Sequence, residues 1–249
     1  MPFFPFSRLG WRRAEAELAP DTRLAVVGDI HGRADLLDEL LEIIAREAGR
    51  DCPMVFVGDY VDRGEQSAQV LGRVQALQGG EWHGAVTCLK GNHEAMMLAF
   101  LDRPEDAGPF WINNGGAHTL ASFGISPPGS TLEALDEARN ALREALGPRG
   151  EEWLRALPPS IQSGNLLITH AGADPERPPD AQTEEDLLWG HPEFARRPRR
   201  DGLWVAHGHT ICEEPAAADG RISVDTGAYA THRLTAAYIA RGKCRFFST

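Results

Sequence analysis

The stretch LAVVGDIHG, from Leu24 to Gly32, places four apolar residues directly before a polar cluster. A short apolar run that ends at glycine is typical of a buried strand. The arrangement recurs in MVFVGDYVDRG (Met54 to Gly64) and in VTCLKGNHE (Val86 to Glu94). Ligands of open α/β sheets bind at the edge formed by the carboxyl ends of the strands. We therefore expect the three polar clusters to lie together, although about thirty residues separate one from the next.

These polar clusters contain the side chains of a metal site. Asp29, Asp59 and Asn92 offer oxygen donors, His31 offers nitrogen, and no thiolate accompanies them. This mixture suits Mn²⁺, Fe or Zn²⁺ better than an all-oxygen calcium cage. A carboxylate such as Asp59 can bridge two cations, and metals about 3.5–4 Å apart assist in-line displacement at phosphorus. The clusters therefore predict a metal centre that acts on phosphate.

Two later clusters contain histidine. HAG (His170 to Gly172) and HGHT (His207 to Thr210) each follow another apolar run, Leu166 to Ile168 and Leu203 to Ala206. Neutral imidazole is a suitable ligand for the metals named above. These clusters can therefore supply the nitrogen ligands of a second metal.

In this order, the clusters GDIHG, GDYVDRG, GNHE, HAG and GHT resemble the signature set of the PPP family of serine/threonine protein phosphatases, within the calcineurin-like metallophosphoesterases. The closest resemblance is to the bacterial and phage lambda-type branch, because WINNGGAHTLASFGI, DLLWG and ISVDTGAY are also similar to it. The resemblance extends from about Arg23 to Ala240. It implies an α/β fold, with a β-sandwich of two mixed sheets flanked by helices and a helical cap segment.

The resemblance also implies a ligand set for two divalent metals, with Mn²⁺ expected and Fe or Zn²⁺ as alternatives. The implied ligands are Asp29 and His31 on the first metal, Asp59 as the bridge, and Asn92, His170 and His209 on the second. His207 precedes the GHT unit, and we expect it to pack near the site without binding metal. Relatives outside this branch have a further histidine where this chain has Ile211.

The implied reaction is direct hydrolysis by a metal-bridging water. Arg63 and Asn92 would bind the substrate phosphate, and the planar guanidinium of Arg63 suits a bidentate contact. The resemblance makes His93 the general acid that protonates the leaving group, with Asp62 holding its ring.

One position departs from the pattern of the branch. Where lambda-type relatives carry a second phosphate-binding arginine, two residues beyond the LLW tryptophan, this chain has His191. Four arginines follow closely: Arg196, Arg197, Arg199 and Arg200. One of them could replace the missing contact, Arg63 could bind phosphate alone, or the basic run could be a solvated loop.

Three functions are compatible with these residues. The first is a protein phosphatase that hydrolyses phosphoserine or phosphothreonine, and in some relatives also phosphotyrosine. Its partner would be a phosphoprotein or phosphopeptide substrate. The second is hydrolysis of small phosphate compounds such as dinucleoside polyphosphates, which relatives with a similar metal site cleave symmetrically. The third is a catalytically weak phosphate-binding or scaffold protein. Tetraphosphatase relatives usually have GNHD where this chain has GNHE, which ends in Glu94, and GDLVxRG where it has GDYVDRG. Both differences favour the protein phosphatase.

Composition limits the partners and the location. The chain has 249 residues and a formal net charge of −11. Such an acidic protein is poorly suited to neutralise many backbone phosphates, so nucleic acid is not expected as the main partner. The sequence has no apolar stretch of membrane-span length and no signal-peptide pattern, and its four cysteines lack CxxC spacing. We expect a cytoplasmic monomer.

One catalytic domain is expected over residues 21–249, after a loosely ordered arm at 1–20. A helical cap is expected at about 102–157, near the site, where selectivity would reside. Within it, Trp111 either lines the entrance or packs in the core. Helical spacing of apolar residues predicts helices at 36–48, 67–77, 95–101, 117–123 and 132–146. Further strands are predicted at 161–169, 203–207, 222–225 and 234–240.

Overall fold

The structure of the protein is a computed structural model that describes residues 16–129 and 131–249. Ten strands are present in these residues: β1 Leu24–Val27, β2 Met54–Phe56, β3 Val86–Cys88, β4 Ser160–Ser163, β5 Leu166–Thr169, β6 Trp204–His207, β7 Ala216–Ala218, β8 Arg221–Ser223, β9 Thr235–Ala240 and β10 Lys243–Ser248. The α-helices are α1 Ala34–Ala48, α2 Ser67–Ala76, α3 Asn92–Asp102, α4 Pro104–Trp111, α5 Ala117–Ser122, α6 Leu132–Ala156, α7 Glu184–Trp189 and α8 Ala228–Thr231.

The strands form two sheets of mixed direction. The first has the order β10-β9-β1-β2-β3 and the second the order β4-β5-β6-β8-β7. In the first sheet β1, β2 and β3 are parallel, and in the second β5, β6 and β8 are parallel. Antiparallel strands complete both sheets. The prediction of an α/β sandwich of two mixed sheets with helices is confirmed.

Alternation along β1 explains how its sheet is buried on both faces. Ala25 and Val27 belong to the apolar cluster that also contains the buried residues of α1, α2 and α3. Val26 lies in a second cluster with Ile168 of β5 and Ala206 of β6, between the sheets. Because neither face meets water, the strand can be apolar throughout, which is why it reads as a continuous apolar run.

The second sheet differs in detail from the sequence prediction. Residues 161–169 were predicted as one strand, but they belong to a hairpin of β4 and β5 that turns at Gly164, whose φ is 55°. Glycine adopts this left-handed backbone without strain. The strands β7 and β10 were not predicted. The sequence of β7 is three exposed alanines, a residue with little strand preference.

Between β3 and β4 the chain is mostly helical, from Asn92 to Ala156. The final helix of this segment was predicted to end at Leu146, but α6 resumes after a break at Gly147 (φ 65°) and Pro148. Proline is well tolerated in the first turn of a helix, so the chain can continue helical beyond it. The helical segment packs beside the first sheet, and its α4–α5 connection reaches the carboxyl ends of the strands.

The predicted amino-terminal arm falls largely outside the described residues, since only 16–20 of it are described. In that part Leu18 is buried and the backbone N–H of Ala19 donates to Asn165 Oδ1 at 2.7 Å. Residues 16–20 are therefore attached to the second sheet. Within 16–129 and 131–249, no helix combines the length and the apolar character needed to cross a membrane.

Candidate metal centre and active site

The five motif clusters meet at the joint edge of the two sheets, as the strand-end positions predicted. Each follows the carboxyl end of β1, β2, β3, β5 or β6. Five non-glycine residues of these clusters have left-handed backbone, with φ between 46° and 74°: His31, Asp59, Asp62, Arg63 and His209. Such a conformation costs about 1–3 kcal/mol for each non-glycine residue and persists only where the surroundings impose it. The site is therefore held in a strained arrangement by the fold around it.

Two glycines make room for the carboxylates. A Cβ atom on Gly208 would collide with Asp29 Oδ1 and would lie 2.8 Å from Val57 Cγ2. On Gly91 it would collide with Asp59 Oδ1. Both positions therefore need glycine because a carboxylate occupies the space of a side chain.

Asp59 lies at the centre of the site, between two histidines. Its Oδ2 is 3.4 Å from His31 Nε2, and its Oδ1 is 3.4 Å from His170 Nε2. The two carboxylate oxygens thus face different imidazoles. This is the arrangement required of a carboxylate that bridges two cations.

Hydrogen bonds on the far side of each ring orient these histidines. His31 Nδ1–H donates to Val61 O at 2.8 Å, and His170 Nδ1–H donates to Val57 O at 3.1 Å. With the proton on Nδ1, the Nε2 lone pair faces an Asp59 oxygen. Burial lowers the pKa of both imidazoles well below the ordinary value, so both are neutral. Two acceptors that face each other repel, and a cation between them removes the conflict. The donor set therefore fits divalent metals.

The remaining predicted ligands join the same cluster. Asn92 Oδ1 lies 2.8 Å from His170 Nε2 and 3.1 Å from His209 Nδ1. The backbone N–H of His209 donates to both Asp29 oxygens, at 3.0 and 3.2 Å. Burial, together with the neighbouring Asp225 and Asp59, raises the pKa of Asp29 well above its usual range. Concentrated buried negative charge of this kind favours bound cations. Five of the predicted ligands, His31, Asp59, Asn92, His170 and His209, thus lie in one cluster, and Asp29 joins it through the backbone N–H of His209.

His93 and Asp62 are in contact as the sequence prediction requires. Asp62 Oδ2 lies 2.6 Å from His93 Nδ1, while Asp62 Oδ1 accepts from Thr119 Oγ1 at 2.6 Å. Trp111 Nε1–H donates to both Asp62 oxygens, at 3.0 and 3.1 Å. Burial raises the pKa of Asp62 to about 7, and the bonds from Thr119 and Trp111 act against this rise. Trp111 is fully buried and packs on Phe100, so it belongs to the core rather than to the entrance.

The Nε2 atom of His93 faces the metal cluster. It lies 3.8 Å from Asp59 Oδ2, close enough to join His31 and Asp59 around a cation by distance alone. Burial and the nearby Arg63 and His209 lower the pKa of His93 to about 3. Its contact with Asp62 favours the protonated ring, as would an incoming phosphate.

Glu94 has a structural role that the sequence did not reveal. Its fully buried carboxylate accepts backbone N–H bonds from Asp59 and Gly91 through Oε2, at 2.8 and 2.9 Å, and from Tyr60 through Oε1 at 2.8 Å. Glu94 thereby ties the β2 cluster to the β3 cluster. A sequence signal existed, since a glutamate three residues after a helix start commonly binds the starting backbone.

Tyr229 is a second residue that sequence reasoning missed. The Arg63 guanidinium carbon lies 4.8 Å from the centre of the Tyr229 ring, and the His31 ring meets the same tyrosine edge-on at 5.3 Å. The Arg63 backbone N–H donates to Gly115 O, on the α4–α5 connection, at 3.4 Å. The phosphate-binding candidate is therefore positioned by the helical segment on one side and by Tyr229 on the other.

Three of the four arginines in the basic run pair with carboxylates. Arg196 pairs with Glu193, Arg197 with Glu176 and Glu193, and Arg199 with Asp201. His191 Nε2 lies 3.9 Å from Asp174 Oδ2. The possibility that one of these three paired arginines binds phosphate is therefore not supported by their contacts.

His207 is buried outside the ligand cluster, in agreement with its omission from the ligand set. Its Nε2 lies 3.1 Å from Ser223 Oγ, and its ring meets Phe194 edge-on at 4.9 Å. Burial lowers its pKa to about 4. The ring packs behind the Gly208–His209 turn.

The family model of the calcineurin-like phosphoesterases matches residues 22–213, which include all six predicted metal ligands. The chain belongs to this family. Similar proteins include the asymmetrical bis(5'-nucleosyl)-tetraphosphatase PrpE of Bacillus velezensis, 26% identical over 84% of this chain and 86% of that one. The PrpE of Bacillus subtilis is 25% identical over 84% of this chain and 88% of its own length. Serine/threonine-protein phosphatase 2 of Escherichia coli is 38% identical, but only over 36% of this chain and 37% of that one.

A solved structure provisionally described as a diadenosine tetraphosphatase shares the fold. It superposes with a TM-score of 0.64 at 21% identity, covering 94% of this chain and 98% of that chain. The cold-active protein-tyrosine phosphatase of a Shewanella species gives a TM-score of 0.59 at 19% identity, over 92% and 80% of the two chains.

These comparisons overturn the prediction of a serine/threonine protein phosphatase. The relatives that align over most of the chain are named nucleotide tetraphosphatases, whereas the protein phosphatase matches about a third of it. The sequence argument failed for a physical reason. The two positions that favoured the phosphatase, Tyr60 and Glu94, are fully buried and bind backbone groups, Tyr60 by donating its hydroxyl to Leu89 O. They stabilise the loops and do not report on the substrate.

Proposed function

We propose that this protein is a metal-dependent hydrolase of dinucleoside polyphosphates. The observation that carries the proposal is similarity to bis(5'-nucleosyl)-tetraphosphatases over most of the chain, around a ligand cluster centred on Asp59. The reaction adds water across a phosphoanhydride bond of the bridge and releases two nucleotides.

Two divalent metals fit the proposed site. One would bind Asp29, His31 and Asp59, and the other Asp59, Asn92, His170 and His209. When bound, such cations polarise phosphate oxygens and acidify water. Mn²⁺, Fe and Zn²⁺ all suit these donors, and Mn²⁺ remains the proposed metal.

Arg63 is proposed to bind the phosphate that is attacked. Tyr229 lies against the guanidinium, 4.8 Å from its carbon, which leaves the N–H edges available to phosphate oxygens. A planar fork of this kind contacts two phosphate oxygens at once. The negative charge of the polyphosphate makes this contact stronger than one to a neutral group.

His93 and Asp62 are proposed to stabilise the departing phosphate. The leaving group of a phosphoanhydride is itself a phosphate, with a pKa near 6, and it departs more readily than an alkoxide without receiving a proton. Loss of a general acid typically lowers a rate by about 10²–10⁴-fold. His93→Asn should therefore lower the rate of dinucleoside polyphosphate hydrolysis by less than this.

The test is product analysis with diadenosine tetraphosphate and metal-stripped protein resupplied with Mn²⁺. We expect AMP and ATP, in line with the asymmetrical relatives, instead of the two ADP molecules of symmetrical cleavage. Asn92→Ala removes one ligand and should abolish the reaction. Failure of the Mn²⁺-loaded protein to consume the dinucleotide would refute the proposal, and so would undiminished turnover by Asn92→Ala.

A further inference from the structure

Few large apolar side chains of the described residues are exposed, and three of the four follow segments bonded to the site. Within residues 16–129 and 131–249, the large apolar side chains that are exposed are Phe110, Leu132, Trp189 and Ile211. Ile211 follows the proposed ligand His209 by two residues. An exposed apolar group beside a polar site often contacts a ligand.

Phe110 belongs to the segment that covers Arg63. It lies on α4 directly before Trp111, which donates to Asp62. Its carbonyl accepts from Asn114 Nδ2 at 2.8 Å, and the next residue, Gly115, accepts from the Arg63 backbone. The Phe110 ring is 56% exposed. It is therefore anchored through its backbone, while its side chain is free to contact a ligand.

Trp189 belongs to a different element, bonded to another cluster of the site. It is the last residue of α7, and Leu187 O of the same helix accepts from the backbone N–H of Ala171 at 2.8 Å. Ala171 directly follows the ligand His170. Trp189 is 37% exposed, and its backbone is thus tied to the cluster that carries a metal ligand.

The two rings lie close together. Their centroids are 6.5 Å apart and their planes are inclined by 45°. A flat base between two rings requires a centroid separation of about 7 Å, twice the usual carbon contact distance of about 3.5 Å. The Phe110 side chain, which is largely exposed, would have to change its rotamer to widen this separation and to remove the 45° inclination. We propose that Phe110 and Trp189, called the aromatic rim below, stack on one nucleobase of the substrate.

A nucleobase fits this position better than another apolar group would. Backbone bonds link the segment of Phe110 to Arg63 and the helix of Trp189 to Ala171, beside His170, and both Arg63 and the ligand cluster suit phosphate. Aromatic side chains stack on bases of every kind and need no specific hydrogen bonds. A ligand with a flat apolar end and a polyphosphate end satisfies both parts of the site. The inference rests on the proposed function, which it extends from the phosphate bridge to the nucleoside.

Calorimetric titration tests the rim without turnover. Mn²⁺-loaded protein is titrated with ADP and, separately, with pyrophosphate, which lacks the base. Phe110→Ala and Trp189→Ala should each weaken ADP binding about tenfold, the effect of losing one base-stacking partner. Pyrophosphate binding should change less than about twofold, and Trp189→Phe should retain most of the ADP affinity because it keeps a stacking ring. Leu132→Ala, at an exposed residue on α6, is the matched control.

Kinetics separates this inference from the proposed function. With diadenosine tetraphosphate, the alanine variants should raise KM about tenfold while kcat changes little, because stacking is equal in the ground and transition states. If wild-type protein hydrolyses the dinucleotide and neither variant changes KM or ADP affinity, the rim is refuted and the function stands. If wild-type protein leaves the dinucleotide intact, the function fails, and a selective loss of ADP affinity in the variants still supports the rim. Equal losses for ADP and pyrophosphate would refute the rim.

Discussion

The Asp59 cluster and the aromatic rim differ in how the fold holds them. The ligands around Asp59 are mostly buried, bonded to backbone groups and partly fixed in left-handed conformations. Phe110 and Trp189 are exposed and contact each other at 6.5 Å. Chemistry at phosphorus needs fixed atoms, whereas base stacking tolerates adjustment. Under the proposed function, catalysis would therefore depend on the fixed cluster and substrate selectivity on the adaptable rim.

The largest effect is expected from Asp59→Asn, which breaks the cluster at its centre. The change keeps the shape of the side chain but removes the charge that two cations would share. Hydrolysis of diadenosine tetraphosphate should fall by about 10³-fold or more, equivalent to about 4 kcal/mol. Steady-state kinetics measures the loss.

Melting temperature provides the control for Asp59→Asn. Burial and the neighbouring Glu94 raise the pKa of Asp59 well above its usual range, which shows that the metal-free carboxylate is unfavourable there. The metal-free variant should therefore melt no lower than metal-free wild type, and Mn²⁺ should raise the melting temperature of wild type only. An equal rise in both proteins would contradict a bridging role for Asp59.

Gly208→Ala should have the next largest effect. The new Cβ would collide with Asp29, so the carboxylate must move away from its metal position. We expect activity to fall by about 10²-fold. Overpacking typically lowers the free energy of unfolding by about 1–3 kcal/mol, and we expect a loss of this size. Gly72→Ala on α2 is the matched control, because a Cβ there meets no atom within 4 Å and alanine favours helix. Full activity in Gly208→Ala would show that Asp29 is not needed where it lies.

Trp111→Phe tests the support of Asp62 with a smaller change. The ring remains in the core, but Asp62 loses the donor that contacts both oxygens. A hydrogen bond to a charged group contributes about 1.5–3 kcal/mol. If Asp62 must stay ionised to hold His93, loss of this bond should lower kcat about tenfold or somewhat more. Trp153→Phe removes an N–H bond to Gln78, away from the cluster, and should leave kcat unchanged. If both variants lose kcat equally, the Asp62 contact has no special role.

The smallest effect is expected from Arg197→Ala. This arginine is 57% exposed and pairs with Glu176 and Glu193, contacts that contribute less than about 1 kcal/mol at the surface. Activity toward the dinucleotide should stay within about twofold of wild type. A tenfold rise in KM would mean that Arg197 leaves these partners to bind phosphate, and the cluster would then extend into the basic run.

The strand-end positions of the proposed ligands could be predicted from local sequence. Asp29, Asp59 and Asn92 lie a few residues after the parallel strands β1, β2 and β3, and strand ends of one sheet share an edge. Buried strands are recognisable as apolar runs, so these positions could be found without knowing the sheet order. Boundaries were less accurate where turn residues interrupted a run, as at Gly164.

The aromatic rim could not be predicted because Phe110, which lies outside the quoted motifs, is distant in sequence from Trp189 of the DLLWG motif. Phe110 and Trp189 are separated by most of the helical segment and by two strands. Their proximity depends on how α4 packs over the sheet edge, which periodicity does not encode. The substrate prediction was incorrect because the sequence does not show what a residue contacts in the fold. Glu94 and Tyr60 distinguish families by sequence but serve the backbone in the structure.

The most direct test of the central claim compares two substrates on one Mn²⁺-loaded preparation. The measurement is kcat/KM for diadenosine tetraphosphate and for a phosphothreonine peptide under identical conditions. We predict that the dinucleotide is preferred by about 100-fold or more, because the peptide lacks a base for the rim and has a poorer leaving group. Equal or greater efficiency with the peptide would contradict the account of a dinucleoside polyphosphate hydrolase.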